Sequence, residues 1–161
     1  MVSNEFKLVE EELQVTLPDA YKELMARYPF QDSKYLLVKE NLLNDPNTLI
    51  ELNRYYRENG YKSKSLPEHS YIIGKNGNNS IFFINLNNDN QETVYYLDEE
   101  RQYNSCNLEK YILSDNFKEF VELTKILQDV LKNPKHKIKK TSDWIISLRA
   151  LFTREQTVSY Q

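Results

Sequence analysis

Three short apolar stretches separated by polar turns occupy the middle of the chain, at Tyr71–Gly74, Ile81–Leu86 and Thr93–Leu97. They are rich in Ile, Phe, Tyr and Val, which favour strands, and their connectors contain the Asn and Gly that accept the positive φ of tight turns. The pattern therefore predicts an antiparallel β-meander. Large apolar residues of the middle stretch alternate onto both faces, so we expect this strand to be central and covered on both sides.

Segments with helical periodicity surround the meander, and several are bounded by recognisable capping residues. Asp45-Pro46 is a start signal and Gly60 a stop signal. Asn116 with Glu119 three residues later approximates a capping box. The predicted helices are a short one after Ser3-Asn4, a second from Pro18 to Pro29, a third between Asp45 and Gly60, and a long fourth from Asn116 to about Leu131.

Shorter stretches give weaker local signals. Tyr35–Val38 has the composition of a short edge strand, and the connection from Asp98 to Asn107 leaves room for another around Tyr103. Leu108–Leu113 has the spacing of one further helical turn.

The order of these elements predicts an α+β domain with one antiparallel sheet and helices packed mainly on one face. The long fourth helix should be the main cover. We therefore expect a shared core that contains Phe82, Ile84, Phe117, Phe120 and Leu127.

The C-terminal part of the chain differs in character from the rest. Asn133-Pro134 ends the fourth helix, so residues 1–133 are predicted to form one domain. Residues 134–161 contain the basic run Lys135–Lys140 and then a predicted final helix, which we expect to dock on the same domain. The apolar stripe of that helix comprises Trp144, Ile145, Leu148, Leu151 and Phe152.

Composition narrows the possible classes of protein. The chain has 161 residues, of which 40% are hydrophobic and 28% charged, which suits one soluble domain. The net charge of −3 argues against direct nucleic-acid binding, and the run Lys135–Lys140 has no interleaved aromatic residues. We see no leader peptide and no apolar run of membrane-spanning length, and the single Cys106 fits a reducing compartment. We therefore expect a cytoplasmic protein that does not contact the membrane.

Three segments, in this order, resemble the SUKH superfamily, also called Smi1/Knr4-like. VEEELQVTLPDAYKELMARYP is similar to the family's opening, where an acidic helix precedes Leu-Pro and a second helix. LPEHSYIIGKNGNNSIFFINL resembles its central hairpin, and NFKEFVELTKIL resembles its closing helix with Phe-x-x-Phe. The Pro29-Phe30 pair replaces the Asn-Gly or Gly-Gly that often ends the family's second helix.

The resemblance implies a function in binding rather than in catalysis. Most bacterial members of this superfamily are associated with polymorphic toxin systems as immunity proteins, which bind and neutralise a toxin encoded beside them. The expected partner is therefore a cognate protein toxin, for example a nuclease, and the expected state is a monomer or weak homodimer. An intracellular adaptor or scaffold of the Smi1/Knr4 type is the alternative. The resemblance carries over no catalytic residue and no cofactor.

A partner surface is predicted around the end of the third strand. We expect the helices to cover one sheet face and leave the other as a platform, where acidic residues steer a basic toxin and tyrosines anchor it. Two alternatives remain open: the acidic cluster as a solvated turn, and the tyrosines as part of the core. The residues predicted to bind the partner are Tyr95, Asp98, Glu99, Glu100 and Tyr103.

The other potentially reactive residues are not spaced as a metal site, a catalytic site or a phosphate-binding loop requires. His69 and His136 have no nearby metal-ligand spacing, and Cys106 has no positioned base. The segment Gly74–Gly77 lacks the following helix that a phosphate loop requires, and a hairpin turn explains it better. The sequence thus predicts no metal site, no cofactor and no enzymatic activity.

Overall fold

The computed structural model describes residues 1–27, 41–76, 79–99 and 102–131, and every structural statement below concerns these residues. The described helices are α1 (Ser3–Leu13), α2 (Asp19–Ala26), α3 (Pro46–Asn59) and α4 (Phe117–Leu131), with a 3-10 helix at Leu108–Tyr111. The described strands are β1 (Ser70–Asn76), β2 (Ser80–Asn85), β3 (Val94–Leu97) and β4 (Ile112–Ser114). The predictions for Tyr35–Val38 and for residues 134–161 lie outside the described residues.

The four strands form one antiparallel sheet in the order β1-β2-β3-β4. This confirms the predicted meander and the central position of β2. The helical turn predicted for Leu108–Leu113 is correct only at its start, because Ile112–Ser114 pairs with β3 as β4. A three-residue strand is too short to show the alternation that identifies strands in a sequence.

Capping residues fix the helix ends where the sequence predicts them. The Asp45 carboxylate accepts hydrogen bonds from the Thr48 backbone N–H at 2.8 Å and the Thr48 hydroxyl at 2.6 Å, and these bonds lower the pKa of Asp45. Gly60, with φ 67°, ends α3. At α4, the Asn116 side chain accepts from the Glu119 N–H at 2.8 Å.

One face of the sheet packs against helices α1, α2 and α4. Phe120 of α4 is fully buried and meets Phe82 edge-to-face at a ring distance of 5.8 Å. Tyr21 of α2 meets Tyr71 of β1 in the same way at 5.5 Å. Of the expected shared core, Phe82, Ile84, Phe117 and Phe120 are confirmed as members of one buried cluster, while the Leu127 side chain lies outside the described part.

The opposite face of the sheet is covered mainly by loops and by one edge of α3. Ile72, Ile81, Phe83, Tyr95 and Leu97 point to this side and are all buried. The covering residues are tyrosines from α3, from the loop after it, from the loop after β3 and from the 3-10 helix, namely Tyr56, Tyr61, Tyr103 and Tyr111. The sheet is therefore buried on both faces, with the described helices mainly on one.

The outer edge of β1 is closed by side-chain and backbone hydrogen bonds. The buried Asn53 of α3 accepts from the Ile72 N–H at 2.7 Å and donates to the Ile72 carbonyl at 3.1 Å, so it replaces a neighbouring strand at that position. The Leu43 N–H donates to the Ile73 carbonyl at 3.1 Å. A Cβ atom at position 74 would collide with the carbonyl of Asn41, two residues before Leu43. This close approach of the two backbones requires a glycine at position 74. We refer to Asn53, Leu43 and β1 together as the closed edge.

Candidate partner-binding surface

The structure places the two predicted anchor tyrosines inside the protein. Tyr95 stacks on Phe83 at a ring distance of 5.0 Å, and its hydroxyl accepts a hydrogen bond from Asn88 at 2.9 Å. Tyr103 is 1% exposed and donates its hydroxyl hydrogen to the Ser65 carbonyl at 3.2 Å. The expectation of an open sheet face is therefore wrong, because the tyrosine-rich loops cover the face that the helices leave free.

The predicted acidic cluster is only partly available to a partner. Asp98 is 4% exposed, Glu99 is exposed, and Glu100 lies outside the described residues. The Glu99 carboxylate accepts a hydrogen bond from the Asn79 side chain at 3.1 Å. Within the described part of the loop, Glu99 is thus the acidic side chain that remains accessible to a partner.

A tight turn at residues 60–64, which we call the lysine turn, fixes the loop after β3. Tyr61 and Lys64 exchange backbone hydrogen bonds at 2.8 and 3.0 Å, and the two residues between them have positive φ angles of 50° and 63°. The Lys62 ammonium donates to the Glu99 carbonyl, and the Lys64 ammonium donates to the Tyr103 carbonyl at 2.9 Å. Two lysines of one turn thereby hold the loop at two points, near its start and in its middle.

The backbone of the lysine turn is locally strained. Two adjacent residues with positive φ are typical of a turn built from Asn, Asp or Gly, yet this chain has Lys62 and Ser63 there. Gly60 also has positive φ, and a Cβ atom on it would collide with the Lys64 carbonyl. Strained, non-glycine turns of this kind persist where surrounding contacts hold them, and they occur often at functional sites.

A cleft lies between the lysine turn and α3, and we call it the Tyr55 cleft. Its volume is about 530 Å³. Tyr55 is 56% exposed and meets Tyr56 edge-to-face at 5.2 Å, so an aromatic ring stands at the rim on a rigid support. Exposed tyrosines on rigid elements are frequent anchors of protein interfaces. The cleft is lined by Leu52, Tyr55, Tyr56, Asn59, Gly60, Tyr61, Lys62, Ser63, Lys75, Asn79 and Glu99.

The buried tyrosines beneath this surface stay protonated at neutral pH. Burial raises the pKa of Tyr61 far above its usual value, and the negative charge of Asp98 adds to that effect. Burial, with a smaller contribution from Tyr111, raises the pKa of Tyr103 to about 12. Both phenol groups are therefore neutral at pH 7, and the Tyr103 hydroxyl donates to the Ser65 carbonyl.

The remaining candidates that the structure describes lie in different elements of the chain. His69 and Cys106 are exposed in different loops, and His136 lies outside the described residues. Gly74 is buried within β1. Across residues 1–27, 41–76, 79–99 and 102–131, no group of three or more His, Cys, Asp or Glu side chains is arranged to hold a metal ion.

The sequence alone did not identify Tyr55 and the two lysines of the turn as residues of the candidate partner-binding surface. The Gly60 stop signal locates the turn, but the contacts from Lys62 and Lys64 reach residues 37 and 39 positions later in the chain. No local pattern encodes such a pairing.

The architecture defines a class of protein: an α+β domain with an antiparallel meander, helices on one face and a loop-covered second face. Residues 3–123 match the family model described as SMI1 / KNR4 family (SUKH-1), and the chain belongs to this family. Comparison with curated proteins and with solved structures gave no match. In the described part of the chain, the helices are too short or too polar to cross a membrane.

Proposed function

We propose that this chain is a non-catalytic protein-binding domain that acts as an immunity protein and neutralises a cognate toxin by stoichiometric binding. Membership of the SMI1/KNR4 family over residues 3–123 carries this proposal, because proteins of this family are generally non-catalytic. A preformed surface that covers the toxin's active site would be sufficient for neutralisation.

The proposed contact surface is the Tyr55 cleft together with the loop after β3. Tyr55 is the anchor, because it combines an exposed ring with a helix that is packed on the sheet. Glu99 provides negative charge at a rim that also carries Lys62 and Lys75, and Glu100, which lies outside the described residues, stays a predicted contact. Tyr95, Asp98 and Tyr103 contribute from below, by packing that holds the loop in place.

The charge of the domain supports a basic partner, such as a nuclease toxin. Residues 1–131 contain 22 Asp and Glu against 14 Lys and Arg, so this part of the chain is far more acidic than the net charge of −3 suggests. A toxin that acts on nucleic acid needs a positively charged cleft, and opposite charges accelerate association. The association rate should therefore fall as salt concentration rises.

Co-expression with candidate toxins from the neighbouring genes tests the proposal. Growth rescue by the full chain, with a one-to-one complex in solution, is the expected result. Binding to cellular proteins without rescue from any neighbouring toxin would instead support the adaptor or scaffold function. Turnover of a substrate by the purified chain, abolished by changing one polar residue, would contradict the non-catalytic proposal.

Surface variants test the proposed contact. Tyr55→Ala and Glu99→Lys should each weaken toxin binding by tenfold or more, on the order of 1.4 kcal/mol. Leu8→Ala on α1 and Asp129→Lys on α4 are matched controls, because both residues are exposed and lie on other helices. If the controls weaken binding as much as the cleft variants do, the interface lies elsewhere.

A further inference from the structure

A second groove lies between α2 and α4, on the helical side of the sheet. Its volume is about 310 Å³, and we call it the α2/α4 groove. The floor is apolar and the rim carries charge. The floor residues are Ala20, Leu24, Phe117 and Val121, and the rim residues are Glu23, Arg27, Glu92, Lys118 and Glu122.

The floor of the α2/α4 groove is only partly covered by the described residues. Ala20 and Val121 pack against the main core but remain half-buried, at the boundary between the core and solvent. Half-buried apolar residues in a concave site between two helices are suited to receive a further apolar element.

The charge around this groove suits a basic occupant. Three carboxylates, those of Glu23, Glu92 and Glu122, face two cations on the rim. Another groove, between the end of α1 and α3, is lined by Arg57, Glu68 and His69, so it has no excess of negative charge and fits a basic segment less well. Charge complementarity therefore favours the α2/α4 groove.

The chain itself contains a segment of the required chemistry. Residues 132–161 carry seven Lys and Arg against two Asp and Glu, whereas residues 1–131 are strongly acidic. In the sequence, the stripe from Trp144 to Phe152 repeats at helical spacing and needs an apolar surface to cover it. The segment thus combines a basic half with an apolar half, as the groove combines a rim of net negative charge with an apolar floor.

The segment also begins close enough to reach the groove. Helix α4 forms one wall, and Leu131 is its last residue. Val121 lies ten residues earlier, which is about 15 Å along a helix. The nine residues from 132 to 140 can span up to about 30 Å, so the stripe can return along α4 to the groove.

We propose that residues 132–161 of the same chain occupy the α2/α4 groove, with the apolar stripe from Trp144 on the floor and the basic run Lys135–Lys140 beside the rim carboxylates. Docking of this segment covers the half-buried floor and places positive charge against the acidic domain. The Tyr55 cleft and its partner play no part in this inference, so the two proposals can fail separately.

Trp144 is the only tryptophan of the chain and reports directly on the docking. In the full-length protein its fluorescence emission should be blue-shifted relative to the urea-unfolded chain, and iodide should quench it weakly. Val121→Asp places a charge on the groove floor and should shift the emission towards that of the unfolded chain. Circular dichroism should show that α4 and the sheet remain folded, because Val121 is only half-buried.

Charge variants separate docking from general effects of net charge. Joint reversal of Glu23, Glu92 and Glu122 to Lys should raise the iodide quenching of Trp144 severalfold. The matched control reverses three exposed acidic residues elsewhere, Glu51, Glu58 and Glu109, and should leave the quenching unchanged. In the variant with Glu23, Glu92 and Glu122 reversed to Lys, additional reversal of four lysines to Glu should restore the protection of Trp144 from iodide, as expected for direct charge pairing. The four lysines are Lys135, Lys137, Lys139 and Lys140.

Three results would overturn the proposal. The first is a wild-type emission of Trp144 equal to that of the unfolded chain. The second is equal iodide quenching of Trp144 in the two triple charge-reversal variants, the one in the groove and the control elsewhere. The third is that dilution dissociates a dimer and at the same time removes the protection of Trp144 from iodide. This result would show that the groove belongs to a second copy of the chain.

Discussion

Substitution of Asn53 by Leu tests the closed edge of the sheet. The Asn53 side chain is 1% exposed, and it makes hydrogen bonds to both the N–H and the carbonyl of Ile72, at 2.7 and 3.1 Å. Leucine has the same number of side-chain heavy atoms and the same branching at Cγ but no polar atoms, so both Ile72 groups would lose their partner while they remain buried. The expected result is a strong loss of stability without a large change in packing.

The size of this loss follows from the two backbone groups. An unsatisfied buried donor or acceptor costs about 1–3 kcal/mol, so Asn53→Leu should lower the free energy of unfolding by about 2–5 kcal/mol. A domain of this size typically has about 5–15 kcal/mol in total. Urea unfolding followed by circular dichroism measures the change directly.

Asn53→Asp adds a pH dependence with a defined sign. The introduced carboxyl would face the Leu49 and Ile72 carbonyls, which now accept from the Asn53 amide at 2.9 and 3.1 Å. Its pKa should be raised in the folded state, because the ionised form is buried opposite two carbonyl oxygens. The stability of the variant should therefore be greatest below the unfolded pKa of about 3.9, and it should be lost as pH rises through the folded pKa.

Asn59 provides the control in the same helix. Its side chain donates to the Tyr55 carbonyl four residues earlier at 2.9 Å, but it is exposed. Asn59→Leu should change stability by no more than about 0.5 kcal/mol. If Asn53→Leu has an equally small effect, the Ile72 groups find other partners and the edge does not depend on Asn53.

Further predictions concern the two sides of the sheet and the glycine of β1, all measured by urea unfolding. Phe120→Ala should cost about 3–5 kcal/mol, because the ring is fully buried against Phe82, and an unchanged midpoint would contradict its place in the core. Tyr61→Phe should be neutral or stabilise by about 1 kcal/mol, since the buried hydroxyl of Tyr61 has no hydrogen-bond partner among the described residues. Tyr103→Phe, which loses a bond to the Ser65 carbonyl, should instead cost about 1 kcal/mol, and equal effects of the two changes would refute this distinction. Gly74→Ala should cost about 1–3 kcal/mol by collision with the Asn41 carbonyl, and a neutral result would show that residues 41–43 can move away.

Local patterns account for most of the fold. The two-sided apolar alternation of β2 correctly indicated a central strand, and the Asp45 and Gly60 signals correctly bounded α3. The role of Asn53 in closing the β1 edge could not be recognised from the sequence, because an asparagine on the apolar stripe of a helix looks like an interruption of that stripe. Its importance depends on β1, which lies about 20 residues later in the chain.

The candidate surface was predictable only in part, because long-range contacts decide which residues are exposed. Glu99 is exposed as expected. Tyr103 is buried because Tyr61 of the lysine turn and Tyr111 of the 3-10 helix pack against its ring, and all three share one buried cluster with Tyr95. In the sequence these segments look polar and offer no sign that they form a second layer of the core.

The closed edge also determines how a partner can recognise this protein. Many binding domains receive a partner's peptide as an extra strand, with affinity from the main chain and little dependence on sequence along the ladder. Here the Ile72 and Ile73 groups of β1 are already satisfied from within the chain, so the edge offers a partner no such docking. On this side of the sheet, a contact with a partner would therefore rest on surface side chains and not on the β1 backbone. Those side chains can be substituted one at a time without disturbing the hydrogen bonds of the closed edge, so the surface can vary while the sheet stays unchanged.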